Sequence, residues 1–235
     1  KNVKTEANLE MSSVSSRLGK TIIELEDIGM VWDGKDYIKD FSYILLRNDR
    51  IGIVGPNGAG KSTLMDIISG KLQPTSGEMR VGQTVKIGYF AQHSEFPDSN
   101  MRVLEYIKEA NNYIETADGQ RISAAQMLER FLFPPELQWV PVSKLSGGEK
   151  RRLYLLRVLM TAPNVLLLDE PTNDLDIPTL SVLEDYLDSF AGAVIAVSHD
   201  RYFLDRFAQK IFALEQDGSI KSYIGGYSDY AEALQ

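Results

Sequence analysis

The sequence predicts an α/β protein built on a parallel core sheet, with a helical subdomain inserted into it. Short apolar segments alternate with helical patterns through most of the chain, which is typical of strand–helix–strand units. A glycine-rich loop at 55–62 directly follows one apolar segment, and the acids Asp169 and Glu170 directly follow another. Because parallel strands end at one edge of a sheet, these features predict a ligand site at that edge.

Residues 1–20 are polar and rich in serine, with little periodicity, so they are predicted to be a linker remnant. A folded domain is expected over 21–235. Its first half should contain strands at 21–31, 41–46 and 50–54, a helix from Lys61 to Gly70, and strands near 78–81 and 85–90. A glycine at the end of the helix suits a helix exit.

The second half of the domain begins with a change from strand patterns to helical patterns. Helices are predicted at 102–115 and 122–133, with Asp118-Gly119 between them. Beyond them we expect a helix from 146 to about 160, a strand at 164–168, a helix at 178–189 and a strand at 193–198. The helical stretch defines the inserted subdomain, at about 98–160.

The composition is ordinary for a globular protein, with 43% hydrophobic and 25% charged residues. The net charge of −8 argues against a general electrostatic grip on nucleic acid. No apolar run reaches the roughly 18 residues of a bilayer span, so we expect no direct membrane insertion. The chain has no cysteine, which removes disulfides and thiolate chemistry and suits a cytoplasmic location.

Residues 55–62 fit the P-loop pattern G-x-x-x-x-G-K-[ST], between a predicted strand and a predicted helix. They are Gly55, Pro56, Asn57, Gly58, Ala59, Gly60, Lys61 and Ser62. The glycines let backbone N–H groups point at phosphate oxygens, and the helix N-terminus adds positive potential. Lys61 can then reach the β- and γ-phosphates, Ser62 can ligate Mg²⁺, and Thr63 can bond the α-phosphate. The alternative is a glycine-rich turn with an incidental lysine.

The segment 165–170, VLLLDE, is a second candidate element. Four apolar residues predict a strand buried on both faces, which places two carboxylates at its carboxyl end. Asp169 suits an outer ligand to Mg²⁺, and Glu170 suits a base for an attacking water. The alternative is an ordinary strand that ends in solvated acids.

The segment 145–149, LSGGE, predicts a helix start. Ser146 would be the N-cap and Glu149 the third helical residue of a capping box. Gly147 and Gly148 leave the first N–H groups open to an anion. The basic residues that follow on this helix could be a solvated face; they are Lys150, Arg151, Arg152 and Arg157.

Three single residues are weaker candidates. His199 follows a predicted strand and could simply be a hydrogen-bonded histidine there. Gln92 would be an ordinary loop residue in most proteins. Trp32 would normally pack in a core or turn, although its face could also stack on a purine.

Together, these segments resemble the ATP-binding-cassette family over residues 21–235. The motifs occur in the order GPNGAGKST, YFAQ, LSGGE, LLLDEP, NDLD and SHD. The resemblance implies a P-loop NTPase of the ATP-binding-cassette type, with a mixed core sheet, an antiparallel β subdomain and an inserted α-helical signature subdomain. It also implies binding of ATP and Mg²⁺, and hydrolysis of ATP.

The resemblance also implies a role for each matching residue. The catalytic set would be Glu170 as base, His199 as the switch that reads the γ-phosphate, Lys61 and Gln92. Mg²⁺ would be held by Ser62, Gln92 and Asp169. Nucleotide would be bound by the loop Gly55–Thr63, by Trp32 stacking on adenine, and by Ser146, Gly147 and Gly148, which would contact the γ-phosphate held by an opposite cassette.

Finer details resemble the ABC-F branch, cytoplasmic proteins with two cassettes in one chain; they are TNDLD, SHDRYFLD and YIGGY. Residues 131–152 are similar to the second cassette of Uup-type members. The implied partners are a second cassette, in a parent chain or as a homodimer, and the ribosome or related RNA through that parent. The alternatives are an ATPase subunit of a membrane transporter and a clamp that turns over rarely. Glu149 and TNDLD favour the ABC-F interpretation over the transporter, and the intact Glu170 and His199 disfavour the clamp.

Overall fold

The structure is a computed structural model that describes residues 21–93, 100–116 and 118–235. The predicted linker remnant at 1–20 lies outside these residues. The strands are β1 (Thr21–Trp32), β2 (Lys35–Leu46), β3 (Arg50–Val54), β4 (Ser76–Val81), β5 (Ile87–Phe90), β6 (Tyr113–Glu115), β7 (Arg121–Ser123), β8 (Val165–Asp169), β9 (Ala193–Val197), β10 (Lys210–Leu214) and β11 (Ile220–Ile224).

The helices are α1 (Lys61–Ile68), α2 (Val103–Ala110), α3 (Ala124–Arg130), α4 (Pro135–Gln138), α5 (Gly147–Met160), α6 (Pro171–Asp174), α7 (Ile177–Ser189), α8 (Arg201–Phe207) and α9 (Tyr227–Ala233). A short 3-10 helix covers Val142–Lys144. Within the described parts of the chain, none of these helices is long and apolar enough to cross a membrane.

Six strands form the core sheet, in the order β11-β10-β3-β9-β8-β5. Neighbouring strands are parallel except β10 and β11, which are antiparallel, so the sheet is mixed. The carboxyl ends of β3, β8 and β9 therefore meet at one edge, where the sequence predicts the ligand site.

Strand β8 shows why this sheet is covered on both sides. All five of its residues are buried, and successive side chains of a strand point to opposite faces. Leu166 and Leu168 belong to the apolar core that also contains α2, α3, α5 and α7. Val165 and Leu167 belong to the core on the other face, with α1 and the antiparallel strands. The loops at the strand ends are thus held by two packed layers.

A second sheet, in the order β2-β1-β4, is antiparallel throughout. Its strand β2 begins at Lys35, six residues earlier than the sequence predicts, because β1 and β2 form a hairpin in which Trp32 pairs with Lys35. The predicted fold class, a cassette-type α/β fold with a mixed core sheet and an antiparallel β subdomain, is confirmed.

The prediction of a helix over 102–115 is wrong at its end. Helix α2 stops at Ala110, and β6 pairs with β7 in a short hairpin. The cause is local, since Asn111 adopts an extended backbone and Gly119 has a φ of +83° that suits a tight turn. The second predicted helix starts at Ala124, two residues late, because Ser123 caps it by accepting a hydrogen bond from Gln126 N at 3.2 Å.

We predict that Gly52→Ala destabilises the protein through overpacking in β3. A Cβ at Gly52 would lie 2.7 Å from Leu204 Cδ2 and 2.9 Å from Ile211 Cδ1, and both side chains are fully buried. Such overpacking typically costs about 1–3 kcal/mol, measured as the free energy of unfolding in urea. Gly148→Ala is the matched control, because a Cβ there meets nothing within 4 Å. Equal stability of the two variants would contradict the prediction.

Candidate functional site

The loop 55–60 joins the buried strand β3 to helix α1. Its geometry depends on glycine, since Gly60 has a φ of +95° and a Cβ there would lie 2.9 Å from the carbonyl oxygen of Tyr37. The first helical residue after the loop is Lys61, so the α1 N-terminus faces the loop. Backbone N–H groups at such a helix start favour an anion.

Lys61 folds back over this loop. Its Nζ donates to the carbonyl oxygens of Gly55 and, at 3.2 Å, of Pro56, and its residue is only 8% exposed. Burial lowers the pKa of Lys61, while the negative charges of Glu170 and Asp169 oppose that shift. The ammonium group therefore sits between the loop and the two acids.

Asp169 and Glu170 are both buried, at the end of β8. Asp169 Oδ2 accepts a hydrogen bond from Ser62 Oγ at 2.8 Å, which joins the strand to the first turn of α1. Burial raises the pKa of Asp169, and the hydrogen bond from Ser62 opposes that shift. Its buried Oδ1 has no hydrogen-bond partner among the described residues. That oxygen is available to a ligand.

Glu170 is held by its backbone as well as by its neighbours. Its N–H donates to Val197 O at 2.9 Å, and its φ is +52°, a value that is uncommon for a residue other than glycine. His199 Nε2 lies 3.0 Å from Glu170 Oε1. Burial raises the pKa of Glu170, with His199 opposing. The second oxygen, Oε2, is buried without a hydrogen-bond partner among the residues that the structure describes.

The loop and the acids enclose one pocket of about 220 Å³. It brings together nine of the residues singled out in the sequence: Asn57, Gly58, Gly60, Lys61, Ser62, Thr63, Gln92, Asp169 and Glu170. Tyr37 also lines it and was missed by the sequence analysis. The signal was an aromatic residue on a strand, but that strand was predicted to begin only at residue 41.

Four predicted residues border this pocket without lining it. Three belong to the loop, and His199 contacts Glu170, which does line it; the three are Gly55, Pro56 and Ala59.

Two further groups of predicted residues lie away from this pocket. Trp32 does not line it and is 59% exposed. Gly147 and Gly148 line a separate cavity, which shares Gln92 with the first. Ser146 caps α5 in the predicted capping box, with its Oγ accepting from Glu149 N at 3.2 Å. All three signature residues are exposed, so they face outward rather than toward the loop of their own chain.

The expectation that the basic residues of α5 form a solvated face is wrong for its three arginines. Planar guanidinium groups pack favourably on aromatic faces, and the long stem is apolar, so a partly buried position is stable. Each guanidinium carbon lies over a ring centre: Arg151 at 3.9 Å from Phe90, Arg152 at 4.4 Å from Phe133 and Arg157 at 4.2 Å from Tyr106.

The oxygen donors in the pocket fit Mg²⁺. This ion takes oxygen ligands and is usually bound through one or two carboxylates together with substrate phosphates. The free Oδ1 of Asp169, the Ser62 hydroxyl and the Gln92 side chain supply that chemistry. Among the described residues, no cluster of three or more His, Cys, Asp or Glu side chains offers an all-protein metal cage.

A phosphate loop, a lysine over it and buried acids at the ends of parallel strands define a nucleotide-binding domain of the P-loop class. The sequence model of the family described as "ABC transporter" matches residues 38–173, more than half of the chain. The chain therefore belongs to the ATP-binding-cassette family and is an ATP-binding, ATP-hydrolysing domain.

Several curated proteins are similar over nearly the whole chain. Identity is 53% over 226 residues with the ABC transporter ATP-binding protein YfmR of Bacillus subtilis (strain 168), covering 96% of this chain and 36% of that protein. It is 42% with the ATP-binding protein Uup of Escherichia coli (strain K12), covering 92% and 34%. It is 39% with the energy-dependent translational throttle protein EttA of the same organism, covering 92% and 39%. The chain thus spans little more than a third of the length of these relatives. The similarity to Uup and EttA confirms the predicted resemblance to the ABC-F branch.

Solved structures with low sequence identity share the fold. An ATP-binding subunit of an ABC transporter superposes with a TM-score of 0.71 at 18% identity, covering 91% of this chain and 93% of that chain. A dimeric ATP-binding cassette in a post-hydrolysis state, bound to ADP and Pi, gives a TM-score of 0.69 at 21% identity, covering 86% and 98%.

We predict that Asp169→Asn stabilises the nucleotide-free protein at pH 7. Burial raises the pKa of Asp169, so folding favours the protonated carboxyl and the ionised form costs stability. That cost is absent below the unfolded pKa of about 3.9 and grows as the pH rises through the folded pKa. The gain in free energy of unfolding should therefore be largest at pH 7 and shrink toward pH 4.5.

Urea unfolding at both pH values measures this effect. Asp33→Asn is the control, because Asp33 is exposed in a turn with a φ of +50° that asparagine tolerates. A variant Asp169→Asn that is less stable than the wild type at pH 7 would contradict the prediction.

Proposed function

We propose that this domain hydrolyses Mg-ATP with the pocket around the phosphate loop, acting as one cassette of a longer, tandem-cassette protein. The observation that carries the proposal is the placement of Glu170, which is buried beside His199 with one carboxylate oxygen left without a partner in the described structure. Such an oxygen can accept the proton of an attacking water.

Each group of residues in the pocket binds a different part of Mg-ATP. Backbone N–H groups of the loop and the Lys61 ammonium bind the β- and γ-phosphates. Thr63, at the start of α1, bonds the α-phosphate. Ser62, Gln92 and Asp169 hold Mg²⁺, which neutralises charge on the phosphate oxygens when it is bound.

Glu170 activates the water. A water at Oε2 gives its proton to that oxygen as its own oxygen attacks the γ-phosphorus. The bond from the γ-phosphorus to the bridging oxygen then breaks, and ADP and phosphate leave. The raised pKa of Glu170 makes it a better proton acceptor than an exposed glutamate. His199, 3.0 Å away, orients that carboxylate and contacts the γ-phosphate.

A second cassette completes the site. The exposed residues Ser146–Gly148 open onto a cavity other than the phosphate pocket, so one chain carries two half-sites. An opposite cassette would bring its own signature to the γ-phosphate, and the loop 173–176 would cross to it. A structure with the same fold is a dimer of cassettes. The partner is either another cassette in the parent chain or a second copy of this domain.

For the parent protein we propose a cytoplasmic role on ribosomes or related RNA assemblies. The support is the similarity to Uup and to a protein named as a translational throttle. The second candidate is the ATPase subunit of a membrane transporter, which the family description and the name of YfmR favour.

Cosedimentation with ribosomes discriminates between these two candidates. The full-length parent protein carrying Glu170→Gln is tested in ATP and in ADP. ATP-dependent cosedimentation supports the first candidate, and its absence contradicts it.

We predict that Lys61→Ala weakens ATP binding at least tenfold. Charge-assisted contacts to phosphate are typically worth about 1.5–3 kcal/mol, and the Lys61 ammonium lies over the loop, 3.2 Å from Pro56 O. Calorimetric titration of the nucleotide measures the affinity. The control is Lys71→Ala, since Lys71 is exposed and lies 5.8 Å from the centre of the Tyr89 ring. Unchanged affinity in Lys61→Ala would remove the loop from the proposed site.

We predict that the isolated domain hydrolyses ATP poorly and that its specific activity rises with protein concentration. In a tandem parent, the linker gives the partner cassette an effective concentration of about millimolar. A separate domain at micromolar concentration meets its partner at a roughly thousandfold lower concentration, which weakens pairing by about 4 kcal/mol. Glu170→Gln should remove the base, preserve the shape and accumulate an ATP-bound dimer, which light scattering detects.

The control adds Gly148→Arg to that variant. A Cβ at Gly148 would meet nothing within 4 Å in its own chain, and the residue is exposed, so arginine there should block the signature and leave the fold intact. The dimer should then disappear. Activity independent of concentration, together with a monomeric Glu170→Gln protein at about 100 µM in saturating ATP, would show that this domain does not pair with itself.

A further inference from the structure

Helix α5 carries three arginines, and each fixes a different neighbouring segment. Arg157 donates to Tyr106 O at 2.8 Å, on α2, and Arg152 donates to Leu132 O at 3.1 Å, after α3. Arg151 alone among these three contacts segments that lead directly into the nucleotide pocket. Its side chain is 11% exposed, the lowest value among the side chains in the ion pairs of α5.

The first segment held by Arg151 is the end of β5. Its Nη2 donates to Ala91 O at 2.7 Å, and its guanidinium carbon lies 3.9 Å from the centre of the Phe90 ring. Ala91 immediately precedes Gln92, the residue that lines both the phosphate pocket and the signature cavity. Tyr154, one turn further along α5, adds a hydrogen bond to this strand, from its hydroxyl to Tyr89 O at 3.2 Å. The backbone before Gln92 is thus fastened to the helix that begins with the signature.

The second segment is α6, which follows directly after Glu170. Arg151 Nε lies 3.4 Å from Asp174 Oδ2, in an ion pair whose acid is half-exposed. Asp174 is the last residue of α6 and belongs to the loop 173–176 that we propose crosses to the partner. One guanidinium therefore touches the segment before Gln92 and the segment after Glu170.

Because Arg151 is partly buried, its charge depends on the ion pair with Asp174 for compensation. Burial lowers the pKa of Arg151, and the negative charge of Asp174, followed by smaller contributions that include Asp169, opposes the shift. A desolvated cation that loses its acid partner is costly, because its charge is left uncompensated. The ion pair therefore favours one arrangement of the three segments over others.

We propose that Arg151 is a positioning residue that fixes the signature turn relative to Gln92 and to Asp174, so that the phosphate pocket and the partner-facing surface adopt their closed arrangement together. This inference rests on the proposed two-cassette function and adds to it a residue that positions the two surfaces relative to each other. When Gln92 engages the bound nucleotide, the hydrogen bond from Arg151 to Ala91 O couples the position of Gln92 to α5. The ion pair with Asp174 couples α5 in turn to the loop 173–176. Arg151 lines the signature cavity but not the phosphate pocket, and it acts on that pocket through these neighbours.

A purely structural arginine would give the same contacts without this effect, and Arg157 supplies the comparison. It lies on the same helix, with its guanidinium carbon 4.2 Å from the centre of the Tyr106 ring, a carbonyl hydrogen bond and an ion pair with Glu109 at 3.5 Å. Arg157→Met removes a matched set of interactions that do not lead into the pocket. Methionine retains apolar bulk over the ring in both variants.

The experiment compares Arg151→Met, Arg151→Lys and Arg157→Met. We expect Arg151→Met to bind ATP with an affinity within about twofold of the wild type, yet to lose kcat without a matching rise in KM. In the Glu170→Gln background, its ATP-driven dimerisation should weaken about five- to a hundredfold, the usual range for coupling between sites. Arg157→Met should lower the melting temperature while kcat and dimerisation stay at wild-type values.

Two further results test the route. Arg151→Lys keeps the charge but lacks the planar fork, so it should restore pairing with Asp174 and recover kcat only in part. Arg151→Met and Asp174→Asn should be non-additive in kcat, since both break one ion pair. Wild-type kcat and dimerisation in Arg151→Met, or equal losses in Arg157→Met, would overturn the inference. If the domain that carries Glu170→Gln alone stays monomeric with ATP, pairing of this domain with itself fails instead, and the comparison of kcat alone tests Arg151.

Discussion

The structure depends on keeping two carboxylates at the end of a strand that is buried on both faces. Asp169 and Glu170 sit where burial opposes their ionisation, and each keeps one oxygen without a partner in the described structure. Water would solvate such groups in an exposed loop, but here Lys61 and Ser62 face them instead. The packing of β8 between two apolar layers is therefore what turns two common acids into groups that can take a cation and a proton.

Local rules were enough to predict most of what surrounds these acids. The loop at 55–62, the strand VLLLD and the capping box at Ser146 each combine a local conformation with its chemistry, so sequence alone placed them correctly. The β6–β7 hairpin was missed because its three-residue strands are too short to interrupt a helical pattern. Tyr37 was missed because hairpin pairing, which is a tertiary property, sets where β2 begins.

The arginines of α5 show a different limit of sequence reading. A run such as KRR on an amphipathic helix is consistent with a solvated face, because the pattern says nothing of what packs nearby. Phe90, Phe133 and Tyr106 come from three separate segments of the chain, and the fold brings each of them beneath one guanidinium. Which charged residues are partly buried was therefore decided by contacts between segments that are distant in the chain.

The position of β3 in the core sheet has a consequence for how the protein is made. Its two neighbours are β9 and β10, so Arg50 pairs with Val194 and Ile51 with Lys210. During synthesis, the strand that leads into the phosphate loop has neither neighbour until almost the whole domain has left the ribosome. Contacts of such long sequence separation close late and slowly. The strand that leads into the phosphate loop is therefore fully paired only after β10, which ends at Leu214, has been synthesised.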